Sequence, residues 1–245
     1  MEPSLRDCCT HLTDEEIRHI RAQVPAAQAS IWLNAGMLGP LPRPAIDAMA
    51  DAHAAEAEVR ADSDYWERLA TAQATARRSL GSIVGVEPGH VSLMHSTHEG
   101  ISTCLWGLAA TSGDSIVTTD EEHPGVLVPL RHVRDRTGCS VRVARHAWGG
   151  SGEHFIDAIL ACVDDTTRAV VASHVSWQSG EIAPLRLLGS SLPSSCRLIV
   201  DGAQSAGVLP IDPADGWDAY TISGQKWPCG PSGTGGLVLR DPEAW

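Results

Sequence analysis

Seven short apolar runs recur between residues 91 and 240 of this chain, and their spacing constrains the fold more than any other feature. They are VSLMHS (91–96), SIVTT (115–119), SVRVA (140–144), AVVASHV (169–175), RLIVD (197–201), AYTIS (219–223) and GLVLR (236–240). Several of the intervals are long enough for helices, which predicts right-handed crossovers and an α/β fold: a mostly parallel seven-stranded sheet covered by helices on both faces. The interval from Ser223 to Gly236 is short and rich in Gly and Pro. It leaves no room for a crossover helix, so the last run is expected to lie antiparallel.

Upstream, Thr13 followed by Glu16 makes a capping-box pattern ahead of a brief helix. SIWLNAGMLGPLPRP then gives a strand-like run followed by turn residues, read as a loop entering the domain. From Pro44 to about Leu80 the chain is rich in Ala, Glu and Arg without internal Gly or Pro, which predicts one or two long helices broken near 61–64. A leader with a short helix (1–30) and one large domain (31–245) describe the expected organisation.

Bulk properties narrow the function. The formal net charge of -12 disfavours nucleic acid and anionic membrane as general partners, so a phosphate ligand needs a local pocket. The cysteines at 8, 9, 104, 139, 162, 196 and 229 show neither CxxC nor Cys/His ligand spacing, which points to reduced thiols and to no metal site. The polar N-terminus and the absence of a membrane-length apolar run lead to a cytoplasmic expectation.

In open α/β sheets ligands bind beyond the carboxyl ends of the strands, and the residues just after these runs are unusually polar. Lys226 follows the sixth run, in SGQKWPCGPSGTGG. It is the one lysine among 18 Lys and Arg residues. A solvated surface lysine is the ordinary alternative, but arginine cannot form a Schiff base and a desolvated lysine amine can. Asp201 ends the fifth run, with Gln204 three residues on. Asp201 suits either a helix cap or a partner for a protonated ring nitrogen. Ser96, Thr97 and His98 open the apolar stretch ISTCLWGLAA, where a phosphate site on a helix N-terminus competes with a plain N-cap. His123 follows the second run as a ring-stacking or surface histidine. A dinucleotide site would need GxGxxG after the first run, and STHEGI does not supply it.

The blocks LNAGMLGPLP, STHEGIS, EEHPGVLVPL, SHVSWQSGEIAPL, VDGAQSAG and SGQKWPCGPSGTGGLVL, in this order over residues 30–240, resemble the class V aminotransferase superfamily of fold-type I pyridoxal-phosphate (PLP) enzymes. That superfamily includes cysteine desulfurases, selenocysteine lyases and isopenicillin N epimerase-like proteins. The resemblance implies pyridoxal 5'-phosphate as cofactor and a homodimer acting on an amino acid. Lys226 resembles the Schiff-base lysine, Asp201 the pyridine-nitrogen partner, Gln204 the donor to the phenolic oxygen and His123 the ring-stacking histidine. Thr97 and the His98 amide, with Ser223 and Gln225, resemble the phosphate cup. The loop around Ser232 and Thr234 resembles the one that reaches the neighbouring subunit's phosphate. Transamination, epimerisation and elimination are all compatible with this set.

Desulfurases usually carry His at the position of Gln225 and Asn at that of Trp177, which favours the aminotransferase and epimerase branch. A desulfurase or selenocysteine lyase-like enzyme is the alternative, and Cys229 reads as structural. Superfamily members continue past GLVLR into a small domain that supplies an arginine for the substrate carboxylate, whereas this sequence stops at Trp245. A non-catalytic PLP-binding homologue is therefore a further alternative, and marginal stability of the isolated chain is expected.

Overall fold

The computed structural model describes residues 12–58, 63–145 and 147–245. In chain order its elements are α1 (Asp14–Gln23), α2 (Pro25–Ala29), α3 (Arg43–Glu58), α4 (Ser63–Val84), β1 (Val91–Met94), α5 (Thr97–Gly107), β2 (Ser115–Thr119), α6 (Pro124–Thr137), β3 (Ser140–Ala144), α7 (Gly152–Leu160), β4 (Thr167–Ser173), α8 (Leu185–Ser191), β5 (Arg197–Asp201), β6 (Ala219–Ser223) and β7 (Gly235–Leu239). The capping box at Thr13 forms as expected: its hydroxyl oxygen accepts from Glu16 N, and the Glu16 carboxylate accepts from Thr13 N. The two long helices are α3 and α4, and the break expected between them falls largely outside the described residues. The run at 30–33 joins no sheet, because Asn34 and Gly36 interrupt it after too few residues to sustain a ladder. Ile31 and Leu33 remain exposed.

The seven strands form one sheet in the order β1-β7-β6-β5-β4-β2-β3. Only β7 runs against its neighbours, pairing antiparallel with both β1 and β6, as the short 223–235 link requires. β1 stops at Met94 because Ser96 turns out of the strand to cap α5. β4 stops at Ser173 rather than at 175, since Val175 leaves the sheet to bridge Ile182.

Alternation along the strands sends successive side chains into two cores, one on each face. Val170, Leu198 and Val200 pack with Ile156, Ile159 and Leu188 on one face. Ala169, Val171 and Ile199 pack with Ile101, Leu105 and Leu130 on the other. The sheet is thus rigid below the ends of β4, β5 and β6, where the polar residues gather. Among the described residues no helix is long and apolar enough to cross a membrane.

Candidate active site

A cavity of about 230 Å³ opens at the carboxyl end of the sheet. The eight residues assigned to the cofactor line it: Thr97 and His98 from α5, His123 before α6, Asp201 at the end of β5 with Gln204 after it, and Ser223 at the end of β6 with Gln225 and Lys226 after it, whereas Ser232 and Thr234 do not. Ser96, Ser173, Val175, Trp177 and Ala203 complete its walls. Ser173 and Val175 were legible only as members of a strand end, without a motif of their own. An outer cavity of about 730 Å³ shares Lys226, His123, Gln204 and Trp177 and extends to Met37 and Trp227.

Asp201 is buried, and Ala203 N donates to its Oδ1 at 2.9 Å. That is the one hydrogen bond to this carboxyl among the described residues. The chain continues from Asp201 into turns and not a helix, so the helix-cap alternative does not apply. Burial pushes the Asp201 carboxyl above its ordinary range, opposed by the Ala203 bond and by the charges of Lys226 and His123. Lys226 is half-buried, with no hydrogen bond or ion pair at Nζ among the described residues. Burial lowers its amine, and Asp201 opposes the shift. The two groups are therefore each destabilised in their charged forms, which is the condition of a site built to receive a further group.

His123 is the N-cap of α6, with Pro124 in the first helical position, and its Nδ1 accepts from Gly125 N at 3.0 Å. That bond requires an unprotonated Nδ1 and leaves the neutral ring with its hydrogen on Nε2. Burial and the Lys226 charge lower its pKa, in agreement with a neutral ring. Trp177 stands edge-on to it, with centroids 5.2 Å apart at 86°. Across the cavity, Ser96 is the N-cap of α5 and accepts from Glu99 N, so the plain capping role is real for Ser96. The first amides of α5 remain outside the helical ladder and available to an anion. Ser223 is buried at the end of β6. Gln225 Oε1 is buried without a hydrogen-bond partner.

The Lys226 segment is held from outside by residues 36–39. Gly39 N donates to Gln225 O at 2.7 Å, and a Cβ at Gly39 would overlap the Lys226 carbonyl. Only glycine lets the two backbones approach this closely. Cys229 lies off the cavity, its Sγ bonded to Trp227 O at 3.4 Å and its pKa raised by burial. That environment suits a structural thiol and disfavours a nucleophilic thiolate. Cys104, Cys139, Cys162 and Cys196 are also free thiols, while Cys8 and Cys9 lie outside the described residues.

Glu122 is one of the buried groups without a counterpart among the expected residues. Glu122 accepts from Thr119 Oγ1 (2.7 Å), Ser173 N (3.0 Å) and Ser173 Oγ (2.6 Å) beneath the cavity floor. Its position after β2 was legible as polar, but nothing local told a buried acid from a solvated one.

Comparison with known proteins agrees with this architecture. A cystine C-S lyase in complex with its reaction product cysteine persulfide superposes with a TM-score of 0.83 at 29% identity, over 89% of this chain and 59% of the lyase. A mutant of the same lyase, with glycine covalently linked to its PLP cofactor, also superposes with a TM-score of 0.83, at 28% identity over 91% of this chain and 60% of its own. In sequence, a probable cysteine desulfurase from Methanothermobacter thermautotrophicus is 29% identical over 225 residues, covering 89% of this chain and 55% of the desulfurase. Isopenicillin N epimerase from Amycolatopsis lactamdurans is 29% identical over 239 residues, covering 91% of this chain and 59% of the epimerase. The chain thus spans little more than half the length of these relatives. The sequence profile of aminotransferase class V matches residues 38–244, and the chain belongs to that family.

Proposed function

We propose that the chain is the cofactor-binding part of a cytoplasmic, homodimeric PLP-dependent enzyme that acts on an amino acid, with Lys226 as the covalent anchor. The observation that carries this reading is the pairing of the chain's one lysine with a buried, under-bonded Asp201 in a single cavity. The donor set fits the cofactor. The Gln225 amide oxygen is buried without a donor, at a cost of about 1–3 kcal/mol, and the NH2 of the same amide is the group that can donate to an anion. Bound here, PLP would supply an electron sink for negative charge at the substrate's α carbon.

The chain's own residues take the remaining roles. The hydroxyls of Thr97 and Ser223, the first amides of α5 and the Gln225 amide hold a phosphate. The Asp201 carboxylate would hold the ring nitrogen and keep it protonated, which in turn would relieve the cost of its burial. His123 would offer a neutral imidazole to the ring. Once the substrate amine has displaced it from the cofactor, Lys226 Nζ, its amine form favoured by partial burial, would take a proton from the substrate's α carbon and return it. The loop around Ser232 and Thr234, where the Thr234 hydroxyl donates to Pro231 O, would be the part that approaches the phosphate of a neighbouring subunit.

A second reading, a desulfurase or selenocysteine lyase-like activity, is supported by the relatives named above. The structural setting of Cys229 and the presence of Gln225 and Trp177 weigh against it. A PLP-binding homologue without turnover is the third outcome. The deciding experiment adds PLP to purified protein, records the visible spectrum, and reduces with borohydride. A visible band that reduction fixes to the Lys226 peptide, absent in Lys226→Ala, is expected. Amino acids that then shift the band identify a substrate, and release of sulfide from cysteine would favour the second reading. A folded protein that shows no band at all would exclude cofactor binding.

A further inference from the structure

Gln204 reaches the cavity from between two segments that are remote in sequence. Its Nε2 donates to the Gly36 carbonyl at 3.0 Å, and its Oε1 accepts from Trp227 Nε1 at 2.8 Å. These partners leave one orientation of the amide. A backbone carbonyl can only accept and an indole N–H can only donate, so turning the amide over would set acceptor against acceptor and donor against donor. Two lost hydrogen bonds disfavour the reversed form by a factor on the order of a hundred. Gly36 takes one of the two Nε2 hydrogens, so the second is what Gln204 can offer the cavity, and it is a donor.

We infer that Trp227 is a positioning residue: its indole N–H, with the Gly36 carbonyl, fixes Gln204 as a hydrogen-bond donor aimed into the cavity and so at the phenolic oxygen of the cofactor. The last step rests on the proposed cofactor reading; the clamp itself belongs to the ligand-free chain. Gly36 is an integral part of it. A Cβ there would lie 3.0 Å from Gln204 Oε1 and 3.4 Å from Trp227 Cζ2, so a side chain at this position would push Gln204 Oε1 by a few tenths of an ångström. Trp227 is also next in sequence to Lys226, and the same outer segment bonds the residue on the other side of Lys226 through Gly39 N and Gln225 O. Anchor and donor are thus registered against one piece of backbone.

The test is a pH titration of the visible absorption of the PLP-loaded protein, comparing wild type with Trp227→Phe, which keeps the ring and removes the donor. A donor at the phenolic oxygen stabilises negative charge there and eases loss of the proton shared with it. Its loss is expected to move the titration midpoint to higher pH by about one unit. Gly36→Ala, which displaces Gln204 Oε1 by another route, is expected to move it the same way. An unchanged midpoint in Trp227→Phe, or a loss of thermal stability with the midpoint intact, overturns the inference and leaves Trp227 as packing. In the ligand-free protein, the indole N–H resonance missing from Trp227→Phe is expected to move in Gln204→Leu. A wild type that gives no visible band overturns the cofactor reading, and that resonance then decides the clamp by itself.

Discussion

Two carboxyls are buried at the same end of the sheet, one after β2 and one at the end of β5, and they are treated in opposite ways. Glu122 receives three hydrogen bonds, from Thr119 Oγ1 and from the backbone and hydroxyl of Ser173. Asp201 receives one, from Ala203 N. The strands carrying them are joined through β4, where Ser173 bonds Glu122 and is the register partner of Asp201. A buried acid that the protein has already satisfied is part of the fold, whereas one left short of donors is waiting for a positive partner. The difference separates scaffold from site more sharply than exposure does, since Glu122 is 3% and Asp201 4% exposed.

The largest effect is expected from Asp201→Asn. Asparagine is nearly isosteric and removes an under-bonded buried charge, so the ligand-free fold should be as stable as wild type or more so. Catalysis on an amino acid should fall by about 10³-fold, close to 4 kcal/mol of transition-state stabilisation. Steady-state rates and thermal melts on one preparation check both halves. A variant that melts well below wild type would place Asp201 with Glu122 in the scaffold.

Glu122→Ala should do the reverse. It strands Thr119 Oγ1 and two groups of Ser173 in a dry site, and a loss of about 3–5 kcal/mol in urea unfolding is expected. Any protein that remains folded should still take up PLP at Lys226, because no Glu122 atom lines the cavity. If stability barely changes while the cofactor is lost, the division between the two carboxyls is wrong.

Asp201 was legible in the sequence and Glu122 was not, for a physical reason. A strand ending in RLIVD, with small residues after it, marks a carboxylate that backbone geometry delivers to the ligand end of the sheet. In Asp120-Glu121-Glu122-His123 the backbone does not distinguish the acids. Glu121, half-buried, turns to Ser176 and Ser179, while Glu122 turns inward to Thr119 and Ser173, and apart from Thr119 the partners that separate the two lie more than fifty positions away. The same limit hid Trp227 and Gly36. Their roles exist through Gln204, which sits 168 residues from one and 23 from the other. The strands and the antiparallel β7 were legible because each depends on local periodicity and link length. Hydrogen bonds between side chains from different loops have no such signature.

The smallest effect is a pH dependence in which Glu122 is opposed by a third buried group. Burial pushes Glu122 up to about 7 from an ordinary 4.5, more than its three donors pull it down. Folding therefore binds a proton that the unfolded chain releases. This contribution to stability is full below about pH 4.5 and is lost as pH rises toward 7. Burial of His174, whose Nδ1 lies 2.7 Å from Tyr220 OH, depresses it to about 4 from 6.5. Here the unfolded chain takes up a proton that the fold refuses, so stability is lost as pH falls toward 4. Each swing integrates to roughly 3 kcal/mol, and between about pH 4.5 and 6.5 the two have opposite sign. The raised Asp201 adds to the falling side. Ligand-free wild type should accordingly show urea midpoints that change little, or fall slightly, across this window. Glu122→Gln should uncover the rise due to His174. A Glu122→Gln profile parallel to wild type would mean that Glu122 is already ionised in the fold. Its three donors would then outweigh its burial, and the two carboxyls would differ in bonding but not in charge.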